Sequence, residues 1–187
     1  MANKLKFITI GYIEWRKGQD LLVDAIEGLP EDIASSVEFV LVGQKTSQMA
    51  RELEERISSL NNVTMVGTVP RDEIHKLLDD TDLLICPSRE DPMPTVCAEA
   101  MMHKVPCLVS DATGTAAYIK DGIDGMVFES ESVEVLRDKI LWCIEHPDEL
   151  MAMGSKAYAL YKEVFAEEVF EGRLLDCVAQ MIGGPRM

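Results

Sequence analysis

The sequence has no long apolar run, which excludes a membrane-spanning helix. Its longest uninterrupted apolar stretches are as short as residues 83–86, whereas about 18 to 20 apolar residues are needed to cross a bilayer. Residues 1–4 lead directly into a strand-like segment, so we predict no signal peptide. We therefore expect a cytoplasmic location, and leave open whether a full-length protein associates with a membrane.

Basic residues are scarce in this chain. Its 18 Lys and Arg residues are outnumbered by 33 Asp and Glu residues, which gives a net charge of −15. Such a surface repels phosphate backbones and anionic lipid headgroups, so we expect no nucleic-acid partner. A local cluster of cations in this sequence therefore needs a specific reason, such as a bound anion.

Paired cysteines, metal-ligand spacings and glycine-rich nucleotide motifs are also missing. The number of cysteines is odd, no Cys-x-x-Cys occurs, and the histidines have no ligand-like spacing. We predict buried thiols in a reducing cytosol, no metal ion and no cofactor. The absence of Gly-x-Gly-x-x-Gly and of a P-loop argues against dehydrogenases and P-loop enzymes. The residues concerned are Cys86, Cys97, Cys107, Cys143, Cys177, His75, His103 and His146.

Short apolar strands alternate with helical patterns along the chain. This alternation predicts an α/β fold, a Rossmann-like doubly wound parallel sheet of about six strands with helices on both faces. We expect one domain over residues 1–187, with a core at 5–145 and C-terminal helices at 146–182. The predicted strands are 5–10, 37–42, 63–66, 82–86, 106–109 and 126–128, and the predicted helices are 21–26, 47–59, 72–78, 95–103, 132–144, 148–161 and 166–181.

Small or polar residues follow five of the predicted strands. Because ligands of such sheets bind beyond the carboxyl ends of the strands, these positions locate a candidate site before any motif is considered. The residues are Gly11, Gly43, Gly67, Ser88 and Asp111.

The helix predicted from Thr95 has the features of an anion site. Pro94 suits the first helical position, and the amides of Thr95, Val96 and Cys97 are expected to point outward without partners. Glu99 on the same helix needs a polar partner if it is buried, and the hydroxyls of a ligand would provide one. The alternative is a solvated glutamate on an amphipathic helix.

A second cluster joins Arg16 and Lys17 just before the first predicted helix. Cations at a helix N-terminus oppose the helix dipole by a few tenths of a kcal/mol or more. In so acidic a chain they are better explained by an anion bound between them and the helix. A solvated turn remains the alternative.

These clusters are part of an ordered set of motifs that resembles the C-terminal, donor-binding domain of family-4 (group 1) glycosyltransferases of the GT-B fold. The resemblance extends from about residue 5 to residue 144 and includes the family's signature of two acids separated by seven residues, here Asp91 and Glu99. The matching segments are 17–22, 39–43, 66–70, 87–101 and 105–125.

The resemblance implies a role for each matched position. Lys17 would bind the donor diphosphate, Glu99 the nucleotide ribose and Asp91 the sugar hydroxyls, which makes these three the candidate catalytic residues. The family usually has glutamate at the position of Asp91 and often arginine at the position of Tyr12. We therefore expect Arg16 to replace that arginine. The remaining donor-binding candidates are Gly11, Gly43 and Val69, the last in the base pocket, with the backbone amides of the segment formed by Met93, Pro94, Thr95 and Val96.

The resemblance further implies transfer of a sugar from a nucleoside-diphosphate donor with retention at the anomeric carbon and without a metal, in glycan or polysaccharide biosynthesis. The family's N-terminal acceptor domain is absent from this sequence, so we expect the chain alone to bind donors and to be inactive in transfer. Three alternatives remain open: a non-catalytic nucleotide-sugar-binding or partner-binding module, half of a sugar-nucleotide epimerase, and a structural role.

Overall fold

A computed structural model describes residues 4–182 of the chain. Its centre is one six-stranded sheet in the order β3-β2-β1-β4-β5-β6, in which all neighbouring strands are parallel. The strands are β1 Leu5–Ile10, β2 Val37–Val42, β3 Val63–Val66, β4 Leu83–Cys86, β5 Cys107–Ser110 and β6 Met126–Phe128.

Helices follow nearly every strand. They are α1 Gln19–Glu27, α2 Glu31–Ala34, α3 Gln48–Ile57, α4 Arg71–Asp79, α5 Thr95–Met102, α6 Val133–Glu145, α7 Pro147–Leu160 and α8 Glu167–Ile182. Short 3-10 turns occupy Trp15–Lys17 and Gly114–Ala117, and a π-helical turn at Tyr161–Phe165 connects α7 to α8. No helix within residues 4–182 is long and apolar enough to cross a membrane.

The predicted fold class is confirmed, with element bounds that differ by a few residues. The four-residue helix α2 was not predicted, because one turn after Pro30 is too short to show a helical period. The π-helical turn was not predicted either. It ends where the Ala166 amide donates to the Tyr161 carbonyl at 2.9 Å, a local hydrogen-bonding choice that the residue pattern does not encode.

Each face of the sheet carries its own apolar core. One core includes Phe7 and Phe39, whose rings pack edge to face with their centroids 5.7 Å apart. The other includes Ile8, Leu84 and Met101, all buried. Alternate residues of β1 thus belong to opposite cores, as expected for a strand covered on both sides.

The prediction of buried thiols holds for four cysteines and is wrong for Cys177. Cys86, Cys97, Cys107 and Cys143 are buried, whereas Cys177 is exposed on α8. Burial raises the pKa of the Cys143 thiol to about 12, so this group remains protonated near neutral pH. Cys177 differs because residues 170–181 of α8 are all exposed.

The sheet centre fixes where the connecting loops meet. From β1 the chain proceeds to one side through β2 and β3, and it later returns to β4 on the other side. The loops after β1 and β4 therefore leave neighbouring strands at the point where strand order reverses, which is the usual ligand position in such sheets.

The ends of β1 and β2 approach each other at two glycines. A Cβ atom on Gly43 would lie 1.7 Å from the carbonyl oxygen of Gly11, and this oxygen belongs to backbone that cannot move aside cheaply. Only glycine fits at position 43. The backbones of the loops after β1 and β2 are therefore in direct contact at the carboxyl edge of the sheet.

We expect Gly43→Ala to lower the free energy of unfolding by about 2 kcal/mol or more, because the added methyl forces the two loops apart. Gly67→Ala is the matched control, since a Cβ there meets nothing within 4 Å. Denaturant unfolding of both variants measures the difference. Equal destabilisation by the two substitutions would contradict the close-contact explanation.

Candidate functional site

A cavity of about 360 Å³ opens at the carboxyl edge of the sheet, beside the ends of β1 and β2. Four of the residues predicted from the sequence line it together, although they come from four different parts of the chain. Its lining residues are Ile10, Gly11, Tyr12, Val42, Gly43, Gln44, Thr68, Val69, Arg71, Ile74 and Glu99.

The cavity is apolar on its walls and charged at one side. Ile10, Val42 and Ile74 supply the apolar surface, and Glu99 supplies a carboxylate from the second turn of α5. The Glu99 side chain is 24% exposed, and Oε1 lies 3.4 Å from the guanidinium of Arg71, whose own side chain is 81% exposed. Glu99 is therefore neither a freely solvated surface glutamate nor locked in a buried ion pair.

Lys17 lies next to this cavity on the 3-10 turn that follows β1. Its aliphatic stem passes Gly11, where a Cβ atom would come within 3.7 Å of Lys17 Cδ. The turn ends at Gly18, whose φ of 70° is left-handed and favours glycine. A Cβ on Gly18 would also lie 1.9 Å from the carbonyl oxygen of Pro87, so the turn rests directly on the loop after β4.

The ammonium of Lys17 is paired with a carboxylate from that loop. Lys17 Nζ lies 2.5 Å from Oδ2 of Asp91, and the two side chains are 18% and 9% exposed. The structure thus brings together two of the three candidate catalytic residues, which are 74 positions apart in the sequence. Because this pair is largely shielded from water, it is screened less by salt than a surface pair.

The backbone around Asp91 is held by the loop after β5. The Asp91 amide donates to the Ala112 carbonyl at 3.3 Å, and the Gly114 amide donates to the Asp91 carbonyl at 2.9 Å. A Cβ on Gly114 would lie 1.7 Å from the carbonyl oxygen of Pro92, so the two loops are in backbone contact. These contacts fix the segment from which α5 starts.

The start of α5 differs in two details from its prediction. Pro94 is the N-cap residue and precedes the first helical position, which is Thr95. The amide of Cys97 is not free, because it donates to the Pro94 carbonyl at 3.0 Å. The tight first turn therefore leaves the amides of Thr95 and Val96 as the donors without an acceptor in the described part of the chain.

Met93, Pro94 and Thr95 line a second cavity at the start of α5. This cavity measures about 460 Å³, and its walls come from α5, the turn after β5 and the C-terminal helical segment. Its other lining residues are Ala98, Thr115, Tyr118, Val164, Phe165, Phe170 and Arg173. Helix α5 thus contributes to both cavities, through Glu99 to the first and through Thr95 and Ala98 to the second.

Arg16 and Lys17 have different hydrogen-bond acceptors in the structure. The guanidinium of Arg16 donates to Oε1 of Glu14 at 3.1 Å and to the carbonyl oxygen of Glu90 at 3.2 Å. Arg16 therefore adds a second link between the turn after β1 and the loop after β4. Its part in binding a diphosphate stays a prediction.

Two arginines of the site were missed in the sequence. Arg71 begins α4 and reaches Glu99, and Arg89 lies in the loop after β4, hydrogen bonded to Asp20. Arg89 had a weak signal, since it is a lone cation just before Glu90 and Asp91 in an acidic chain. Arg71 had none, because its partner lies 28 residues away on another helix.

A pair of histidines also joins the helices beside the first cavity. His75 Nδ1 and His103 Nε2 are 2.9 Å apart, and His103 Nδ1 lies 2.7 Å from Oδ1 of Asp79. This cluster connects α4 to the end of α5. Among residues 4–182 there is no group of three or more His, Cys, Asp or Glu side chains arranged to hold a metal ion. Metal independence itself stays a prediction.

The strand order, the cavity beside the ends of β1 and β2 and the unpaired amides at the start of α5 define a Rossmann-like α/β domain with a candidate ligand site at the carboxyl edge of its sheet. More specifically, the chain belongs to the group 1 glycosyl transferases, because the sequence model of that family matches residues 2–160. The resemblance inferred from the motifs is thereby confirmed.

Individual proteins agree with this assignment. The chain is 27% identical to the D-rhamnosyltransferase WbpZ of Pseudomonas aeruginosa over 162 residues, which are 85% of this chain and 41% of that protein. Its fold matches the crystal structure of Anabaena Alr3699/HepE in complex with UDP-glucose with a TM-score of 0.84, at 24% identity, over 96% of this chain and 50% of that one.

A third comparison concerns an isolated domain. The crystal structure of the C-terminal domain of the group 1 glycosyl transferase LpcC from Francisella tularensis matches with a TM-score of 0.79, at 20% identity, over 87% of both chains. The fold is thus that of the C-terminal domain of GT-B glycosyltransferases. The chain spans about half the length, or less, of the full proteins it matches.

We expect Asp91→Asn to lower the free energy of unfolding by about 2 kcal/mol or more, because it leaves the shielded ammonium of Lys17 without a counter-charge. In a double-mutant cycle with Lys17→Met, the coupling energy should be about 1 to 3 kcal/mol. Denaturant unfolding of the four proteins measures it.

The pair formed by Lys139 and Asp121 is the control for this cycle. These side chains are 2.8 Å apart but 27% and 51% exposed, and an exposed pair is expected to contribute less than about 1 kcal/mol. If both cycles gave the same coupling energy, the Lys17–Asp91 pair would be an ordinary surface contact.

Proposed function

We propose that this domain binds the nucleoside-diphosphate sugar of a retaining glycosyltransferase at the carboxyl edge of its sheet. The observation that carries the proposal is the continuity of the site. An apolar cavity with Glu99 at one side runs past Gly11 to Lys17, which lies on the loop contact with Asp91. A nucleotide has the same sequence of chemical groups: a flat base, a ribose with hydroxyls, and a diphosphate.

The base and ribose fit the first cavity. A flat base is held by apolar walls such as those of Ile10, Val42 and Val69, with nearby polar groups to fix its orientation. The carboxylate of Glu99 accepts hydrogen bonds from the ribose hydroxyls, and such charge-assisted bonds are stronger than neutral ones. Arg71 then contacts Glu99 only until a ligand takes its place.

The diphosphate fits between Lys17 and the start of α5. An ammonium supplies positive charge on one side, and the unpaired amides of Thr95 and Val96 supply oriented donors on the other. When the bond to the sugar breaks, the leaving diphosphate gains negative charge. Donors already in place stabilise that charge, which is worth several kcal/mol in comparable sites. This arrangement needs no metal ion.

The ion pair of Lys17 with Asp91 must be exchanged when a donor binds. Donor binding must shift Lys17 from Asp91 toward phosphate, which releases the Asp91 carboxylate to accept hydrogen bonds from the sugar hydroxyls. The same pair is compatible with a non-catalytic domain. If a ligand did not displace Asp91, Lys17 would stay in the ion pair and would not bind the diphosphate. Sugar transfer by the full-length protein, measured with donor and acceptor, decides between the catalytic and the non-catalytic role.

Transfer requires an acceptor site that we assign to a preceding domain of a longer protein. The last helix, α8, supports this assignment, because it has an apolar set of side chains that the described chain does not cover. These are Phe170, Leu174, Leu175, Val178 and Met181, which are all exposed. The chain alone is therefore expected to bind a donor without transferring its sugar.

A nucleotide screen tests the proposal. We expect one of UDP, GDP and ADP, or its sugar conjugates, to stabilise the chain by about 2.7 kcal/mol at ~100 times its dissociation constant, a rise in Tm of several degrees. Glu99→Gln should weaken binding of that nucleotide about ten-fold or more, because a charged acceptor is lost. The same substitution should have little effect on the 2′,3′-dideoxy nucleotide, which lacks the hydroxyls.

Glu52→Gln is the control, since Glu52 is exposed on α3, lines neither cavity and accepts a hydrogen bond from Gln48. A nucleotide that binds equally well to the unmodified chain and to Glu99→Gln would remove Glu99 from the ribose site. If none of the nucleotides bound at all, the donor-binding function would fail. An intact sugar nucleotide whose sugar is epimerised without an acceptor would establish the epimerase alternative instead.

A further inference from the structure

Arg89 is a nearly buried cation in the loop after β4. Its side chain is 9% exposed, and a charge removed from water to this extent needs partners. Both oxygens of the Asp20 carboxylate accept from the guanidinium, at 2.9 and 2.7 Å. The Trp15 carbonyl accepts at 2.6 Å and Glu131 Oε1 at 3.0 Å. A planar guanidinium suits such a two-pronged contact, whereas a lysine cannot reproduce it.

Two of these partners lie on either side of Lys17. Trp15 begins the 3-10 turn that carries Lys17, and Asp20 lies in the first turn of α1. The backbone of residue 89 adds a further link, since its amide donates to the Arg16 carbonyl at 2.8 Å. Residue 89 thus holds the segment that contains Lys17 both before and after the lysine.

The same loop carries Asp91, which is only two residues farther along. Arg89 therefore connects the backbones of the two residues whose side chains form the pair at the diphosphate end of the site. The hydrogen bonds with Asp20 raise the pKa of the Arg89 guanidinium further above its ordinary value, so its charge is permanent. The guanidinium carbon also lies 4.9 Å from the centroid of the Trp15 ring, a cation–π distance.

We infer that Arg89 is a positioning residue that sets the place of the Lys17 ammonium at the diphosphate end of the donor site, without contacting the donor itself. Four of its five N–H donors are engaged by protein oxygens, and its side chain lines neither cavity. Electrostatic stabilisation depends on geometry held to within about 0.5 Å, which a flexible lysine on an untethered turn does not provide. The inference rests on the proposed function.

The first test compares nucleotides with and without the second phosphate. Arg89→Ala should lower the affinity for the nucleoside diphosphate about ten-fold or more, while the affinity for the matching monophosphate changes less than about three-fold. Arg89→Lys should restore little of the affinity for the diphosphate, since an ammonium lacks the two parallel N–H donors of the guanidinium. Calorimetric titration of each variant gives both constants. An unchanged ratio of the two affinities in Arg89→Ala would overturn the inference.

Arg56→Ala is the matched control, because Arg56 also joins two carboxylates of α1, Asp24 at 2.6 Å and Glu27 at 2.7 Å, and lines neither cavity. It should leave the affinity ratio unchanged. Should Arg89→Ala fail to fold, Asp20→Asn provides a milder variant, since it removes the charge of the carboxylate and keeps its shape. The same fall in the ratio is expected.

A second measurement does not depend on any nucleotide. The Lys17–Asp91 double-mutant cycle is repeated in the Arg89→Lys or Asp20→Asn background. The coupling should fall toward that of the exposed Lys139–Asp121 pair, because the turn no longer holds the ammonium in place. Undiminished coupling would overturn the role of Arg89. If the unmodified chain bound no nucleotide, the proposed function would fail, and this cycle would still decide whether Arg89 positions Lys17.

Discussion

The turn after β1 rests on the loop after β4 through backbone atoms, because Gly18 leaves no room for a side chain beside the Pro87 carbonyl. The candidate site depends on this contact. It places Lys17 opposite Asp91. It also brings Arg89 close to the turn, so that its guanidinium reaches Trp15 before Lys17 and Asp20 after it. Parallel β1 and β4 at the sheet centre provide the approximate approach. The glycine then reduces the separation to the few ångströms that ion pairs and hydrogen bonds require.

The charges at this edge form a consistent pattern in a chain with a net charge of −15. Lys17 faces Asp91, Arg71 faces Glu99, and Arg89 faces Asp20. The first two pairs have one contact each, so a ligand with negative charge or hydroxyls can exchange with either partner. The third has a two-pronged geometry, and its guanidinium has two further acceptors, the Trp15 carbonyl and Glu131, so it resists exchange. The site thus combines replaceable pairs that can meet a ligand with a fixed pair that holds the backbone.

The sequence predicted the strands and the edge at which the site lies, because apolar runs and strand-ending glycines are local signals. It predicted Glu99, Lys17 and Asp91 as a set only through the resemblance to a family. Their mutual geometry was not accessible, since Lys17 and Asp91 are 74 residues apart. One local hydrogen bond was also predicted wrongly, because the Cys97 amide donates to the Pro94 carbonyl in a tight first turn that the residue pattern does not encode. Cys177 is exposed because no other element of the described chain covers this part of α8. The pattern of residues within the helix does not reveal this.

The Lys17–Asp91 pair is a poor device for stability alone. Removing both charges from water costs several kcal/mol, and apolar side chains of similar size are often at least as stable in such places. If no anion ever bound there, the chain would therefore lose little stability if Lys17 and Asp91 were both replaced by apolar residues of similar size. A lysine held at 18% exposure, with an aspartate that a ligand can displace, is better explained by a recurring anionic occupant. The unpaired amides of Thr95 and Val96 also favour a bound anion. A helix start whose amides have no acceptors is stabilised by a phosphate. The shielded lysine and the unpaired amides are two independent features of one edge that an anion would stabilise. Together they favour the donor-binding function over a domain that no longer binds nucleotides.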